Sequence, residues 1–77
     1  MTKQFIRKAR SLMGCTIDKF AELTNVSPRT VYRWESGKSS ANGKMILFII
    51  KLCMEQGIDI KDLVSFLLTF NIINAII

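Results

Sequence analysis

Arg29, Tyr32 and Arg33 lie within one turn of each other in the stretch SPRTVYRWESGK. If that stretch is helical, they share one exposed arc with Ser36, and Pro28 stands at its leading edge. Two guanidiniums and a phenol in this arrangement suit the edges of base pairs in a major groove. An arginine bidentate to guanine O6 and N7 is worth roughly 1–3 kcal/mol of discrimination. Val31, Trp34 and, nearer the edge, Glu35 fall on the inward arc. Arginines at i,i+4 spacing are also common on plain solvated helices, so the residues before them must decide. Catalysis has no foothold in the chain: there is no histidine, no paired carboxylate site and no glycine-rich phosphate loop. No cofactor and no metal are expected.

The preceding residues, TIDKFAELTNV, predict a second short helix and a tight turn. Thr16 is an N-cap candidate, and Ile17, Phe20, Ala21 and Thr24 fall on one arc with Leu23 at its edge. Asp18, Lys19 and Glu22 fall opposite. Asn25 stands where the chain must reverse, and asparagine tolerates the left-handed conformation better than other non-glycine residues. Ser27-Pro28 then supplies a capping hydroxyl and a proline at the first helical position, and Gly37 closes the helix. Helix, turn, helix is the pattern of a DNA-reading unit.

The run AELTNVSPRTVYRWESGK resembles the core of the phage repressor/Cro family of helix-turn-helix regulators. The resemblance covers Ile6 to about Cys53. It rests on Ala21, Val26-Ser27, Val31, Trp34 and the Glu35-Ser36-Gly37-Lys38 ending. It implies that Arg10, in the first helix, pairs with Glu35 and fixes the orientation of the reading helix. It also implies that the loop KSSANGK and the start of the next helix grip the DNA backbone. Lys38 and Lys44 are the better candidates there, beside Ser39, Ser40 and Asn42. Two positions depart from the family pattern. Asn25 replaces the turn glycine, and Ile17 replaces the glutamine that usually touches a phosphate.

Seventy-seven residues, 49% of them hydrophobic, make one small ordered domain. The charge is uneven along it. Residues 1–51 carry ten Lys/Arg against Asp18, Glu22 and Glu35, a net +7; residues 52–77 carry Lys61 against Glu55, Asp59 and Asp62, a net −2. A basic part that coincides with the motif fits a nucleic-acid partner. Ordinary solubilising charge is the plainer account of the same numbers. Cys15 and Cys53 have no zinc-site spacing and are expected as reduced, partly buried thiols. The N-terminus lacks the apolar core of a signal peptide, and no segment reaches the eighteen or so apolar residues of a membrane span. A cytoplasmic location is expected.

The other elements follow from periodicity. Thr2 caps a first helix over about Lys3 to Met13, with Phe5 or Ile6, Ala9, Leu12 and Met13 inward. A fourth helix from about Gly43 to Gln56 is apolar nearly all round, so it needs cover on two sides. Asp59 caps a fifth. From Leu63 to Ile77 only Ser65, Thr69, Asn71 and Asn74 are polar, more apolar surface than so small a monomer hides. It could serve as a dimer interface, as extra core over the fourth helix, or as a membrane-surface segment. The first is the expectation, through Leu63, Phe66, Leu67, Phe70 and Ile73. Residues 71–77 either continue the helix or form a short β arm, which their β-branched isoleucines favour.

The expected architecture is all-α: five helices of repressor-like type, with a possible short C-terminal β arm. Residues 1–57 form the helix-turn-helix core and 58–77 an apolar dimerisation segment of the same domain. The expected function is double-stranded DNA binding by a small homodimeric transcriptional regulator, on a pseudo-palindrome with half-sites roughly 34 Å apart. Pro28, Arg29, Tyr32 and Arg33 read bases; Thr16, Ser27, Thr30, Lys38 and Lys44 hold phosphates. A restriction-modification controller or an antitoxin would share this domain. A protein-interaction module that has lost DNA binding is the alternative from another class.

Overall fold

Three side chains open three helices by the same chemistry. In the computed structural model, which describes residues 2–65 and Leu68, Thr16, Ser27 and Asn42 all have extended backbone. Their side-chain oxygens accept the amide N–H groups of Lys19, Thr30 and Met45 at 3.1, 3.2 and 2.9 Å. Each bond satisfies a donor that the first turn of a helix otherwise leaves unpaired. The helices so opened are α2 (Ile17–Thr24), α3 (Pro28–Ser36) and α4 (Gly43–Glu55), and α1 (Thr2–Met13) precedes them. A fifth helix, α5, begins at residue 61 and is described over 61–65 and at Leu68. Asp59 Oδ1 accepts the Lys61 N–H at its start, at 3.0 Å. Among the described residues there is no strand. The chain is all-α.

The reversals between helices are where left-handed backbone was expected. Asn25 has φ 58° and ψ 41°, and the next amide, Val26 N–H, reaches back to Ala21 C=O at 3.0 Å. Gly37, φ 79°, does the same after α3, with Lys38 N–H on Arg33 C=O at 3.0 Å. Both ends satisfy carbonyls that a helix terminus would leave exposed. The turn is therefore closed on each side by its own backbone.

α1 packs on α3 and α4, and α2 on the same two helices. Phe5, Ile6 and Ala9 of α1, Phe20 and Ala21 of α2, Val31 and Trp34 of α3, and Ile49 and Cys53 of α4 form one buried cluster. Burying a side chain such as Phe20 stabilises by roughly 1.5–3 kcal/mol. Thr24 shares this interior, and its hydroxyl donates to Phe20 C=O at 2.8 Å, so no polar group is stranded. Cys15 is half-buried and Cys53 buried, both free thiols; burial pushes each above its ordinary pKa.

The structure departs from the sequence expectations at four places. α1 begins at Thr2 itself, not after it. In the loop before α4, the side-chain oxygen of Asn42, expected among the phosphate candidates, is committed to capping α4, and Ala41 is buried in the core. On α4, Ile49 and Cys53 are buried, but Leu47, Phe48 and Met54 remain exposed among the described residues. Leu63, expected at an association surface, is completely buried in the same cluster as Ile49 and Cys53. Gly57, φ 75°, reverses the chain after α4, and Ile58 and Ile60 pack half-buried against the core. A Lys8–Asp62 ion pair, 3.7 Å, ties α1 to the start of α5. Residues 58–63 thus take the extra-core role. Phe66, Leu67, Phe70, Ile73 and the β arm lie outside the described residues. No helix among those described is long and apolar enough to cross a membrane.

Candidate nucleic-acid interface

α3 is short, nine residues, and its orientation depends on what holds its inner side. Val31 and Trp34 are buried against α1 and the rest of the core. Beside them Glu35 is also buried, and Arg10 of α1 meets it in a two-bond fork. Arg10 Nε donates to Glu35 Oε2 at 2.6 Å and Nη2 to Oε1 at 3.0 Å. The remaining Nη1 donates to Cys15 C=O at 3.2 Å, so one guanidinium also ties down the link between α1 and α2. The Glu35 hydrogen bond is the main cause that raises the Arg10 pKa further above its already high value. Planar fork against planar carboxylate fixes an angle as well as a distance. α3 is thereby clamped to α1 across 25 residues of sequence.

The clamp leaves Pro28, Arg29, Tyr32, Arg33 and Ser36 exposed on one arc of α3. All four residues expected to read bases are brought together there. Ser27 and Thr30 stand at the N-terminus of the same helix, their hydroxyl oxygens 3.0 Å apart. If Thr30 donates to Ser27, the Ser27 oxygen accepts twice and its own O–H is free to point outward. Thr16 is exposed at the start of α2, Lys38 just beyond α3, and Lys44 in the first turn of α4. Thr30 is the half-buried member of this phosphate-binding set. The set surrounds the α3 arc at helix ends and loops, where amide donors are also free.

Arg7 falls outside the inward stripe that the sequence predicts for the first helix. In the fold it lies beside α3, Nε 4.0 Å from Glu35 Oε1. Its i,i+3 spacing to Arg10 puts both on one side of α1, a signal that could have flagged it. Arg7 and Arg10 line a cleft of about 300 Å³ with Ile17, Tyr32, Glu35 and Ser36.

Comparison with curated proteins and with solved structures gives no match. A family model described as Helix-turn-helix matches residues 6–53, well over half of the chain. The match spans α2, the Asn25 turn and α3 in full, together with the last two thirds of α1 and most of α4. A capped helix pair with a clamped inner side and a basic, exposed outer arc is what DNA binding by this motif requires. The chain belongs to the Cro/repressor-like helix-turn-helix family of DNA-binding transcription regulators.

Proposed function

We propose that the protein binds a specific double-stranded DNA operator as a small homodimeric regulator of the phage Cro or repressor type. The observation that carries the reading is the exposed arc of Arg29, Tyr32 and Arg33 on a helix whose inner side is locked by Arg10 and Glu35. A base-reading side chain needs a fixed backbone behind it, because a bidentate contact loses its selectivity when the helix can rotate. In this reading Arg29 and Arg33 contact guanines, with Tyr32 and Pro28 against neighbouring base edges. Ser27, Thr30, Thr16, Lys38 and Lys44 hold phosphates and set the register without reading sequence.

Two-fold pairing is supported by apolar surface left over after the core is formed. Leu47, Met54 and Leu68 are each more than half exposed, and residues 66–77 are predominantly apolar in sequence. A pair of protomers about a two-fold axis would present two reading helices to a pseudo-palindrome. Small regulators of this kind act as phage switches, as controllers of restriction-modification systems or as antitoxins.

Selection of random duplexes by the purified protein tests the reading, repeated with Arg29→Ala and Arg33→Ala. A two-fold symmetric site should be enriched, and each variant should relax preference at its own positions by about 5- to 150-fold, the equivalent of roughly 1–3 kcal/mol. Weak, salt-sensitive binding with no enriched sequence would instead favour a protein-interaction module that keeps the fold.

A further inference from the structure

We propose that the cleft between α1 and α3 is a phosphate-binding site with Arg7 as its cation, and that it takes a phosphodiester of the DNA backbone. The proposal rests on the DNA-binding reading above and adds a residue and a position to it. Charge accounting points to Arg7. The cleft walls contain two guanidiniums and one carboxylate, and both oxygens of Glu35 are already held by Arg10, at 2.6 and 3.0 Å. Arg7 Nε stands 4.0 Å from Glu35 Oε1, beyond hydrogen-bond range, and its side chain is 61% exposed. Among the described residues its guanidinium has no hydrogen-bond acceptor. The local excess of one positive charge is therefore on Arg7, with its planar fork of donors open to solvent.

The other walls fit an oxyanion from outside better than a group from within. The Ile17 side chain offers no polar atom, while its amide N–H lies in the first turn of α2, and the Ser36 hydroxyl donates to Arg33 C=O at 3.2 Å. Tyr32 belongs both to the cleft and to the exposed arc of α3, so the cleft opens beside the surface that faces DNA. The cleft holds about ten times the ~30 Å³ share of a liquid water, room for a phosphate group with part of its hydration. Geometry supplies the ligand. A helix some 10–12 Å across fills a major groove about 12 Å wide, so the sugar-phosphate strands run along its flanks. α1 runs beside the Glu35 edge of α3; with α3 in the groove it would stand on one such flank, and Arg7 would meet a strand there as a bidentate phosphate contact.

The test is the salt dependence of duplex binding by the full chain and by Arg7→Gln and Arg7→Lys. Affinities are measured between about 50 and 200 mM salt, on a selected duplex and on a random one of equal length. Loss of one phosphate contact should lower the slope of log K against log salt by about 0.9 in Arg7→Gln. Affinity should fall by the same factor on both duplexes, and the enriched sequence should stay the same. Arg7→Lys should restore the slope but only part of the affinity, because lysine keeps the charge without the fork. An unchanged slope in a folded Arg7→Gln protein would overturn the site, as would altered base preference in its place. Saturable movement of the Arg7 Nε–H resonance by inorganic phosphate alone, with none on adding duplex, would overturn the DNA backbone as the source. Wild-type protein that binds no duplex fails the reading above as well; wild-type binding with an unchanged Arg7→Gln slope fails this inference alone.

Discussion

On α3 the outer face carries Arg29, Tyr32 and Arg33; on α4 the exposed residues include the apolar Leu47, Phe48 and Met54 beside Lys44, Lys51 and Glu55. Both helices are opened by a capping oxygen and both bury one face in the same core. They differ in what their outer faces cost. Guanidiniums in water are in their preferred medium, so the α3 surface is at no disadvantage until a phosphate or base displaces that water. Apolar carbon on α4 is penalised by about 25 cal/mol for every Å² left wet, so any apolar cover stabilises it. The clamp differs too. A part-buried, bidentate ion pair holds α3 in angle and register against α1, whereas α4 meets the other helices mainly through non-directional apolar contacts. The surface that must be read in one geometry is the one with directional support behind it.

The largest effect should come from breaking that support. Glu35→Ala strands the Arg10 guanidinium, and we expect a loss of about 2–3 kcal/mol in urea unfolding, less than for a fully buried pair because Arg10 keeps contact with water. A double-mutant cycle with Arg10→Ala should recover most of it as coupling energy. Additive effects at positions 10 and 35 would abolish the distinction between a clamped α3 and an unclamped α4. Next in size is the cap of the reading helix. Ser27→Ala should cost about 1 kcal/mol and Ser27→Gly only a few tenths, with both also weakening duplex binding. A Ser27→Ala protein of unchanged stability would mean that the clamp alone fixes α3. The smallest change in stability is expected on α4. Leu47→Ser and Met54→Ser should each alter monomer stability by no more than about 0.5 kcal/mol, yet sedimentation should show weaker self-association. Unaltered association would remove α4 from the proposed dimer surface and leave residues 66–77 as its remaining candidates.

Legibility followed the range of the interaction. Thr16, Asn25, Ser27 and Gly37 act on partners within about four residues, and each does in the fold what its type and place suggested. The inward arcs of α1, α2 and α3 were likewise readable, because a 3.6-residue period puts Phe5, Ala9, Phe20, Val31 and Trp34 on one side whatever lies opposite. The loop before α4 was readable as a loop from its composition, but its polar run did not show that the one apolar residue, Ala41, turns inward or that Asn42 caps the next helix. An asparagine three residues before Met45 was a signal present in the sequence. Leu63 was misplaced because an apolar run does not say which of its members meets the chain's own core first.

By itself the sequence determined the helices, the caps of α2 and α3, the buried faces of α1 to α3 and the cationic arc of α3, since all of these arise from cap chemistry and helical periodicity over a few residues. Family resemblance, not local pattern, suggested the pairing of Arg10 with Glu35. Only the tertiary structure decided that Arg7 stands 4.0 Å from the same carboxylate, that Tyr32 and Ile17 wall one cleft with it, and that residue 63 closes the core. These depend on the angles and spacings at which separate helices pack. Those angles are set by how whole side-chain surfaces interlock, and no window of neighbouring residues contains that information.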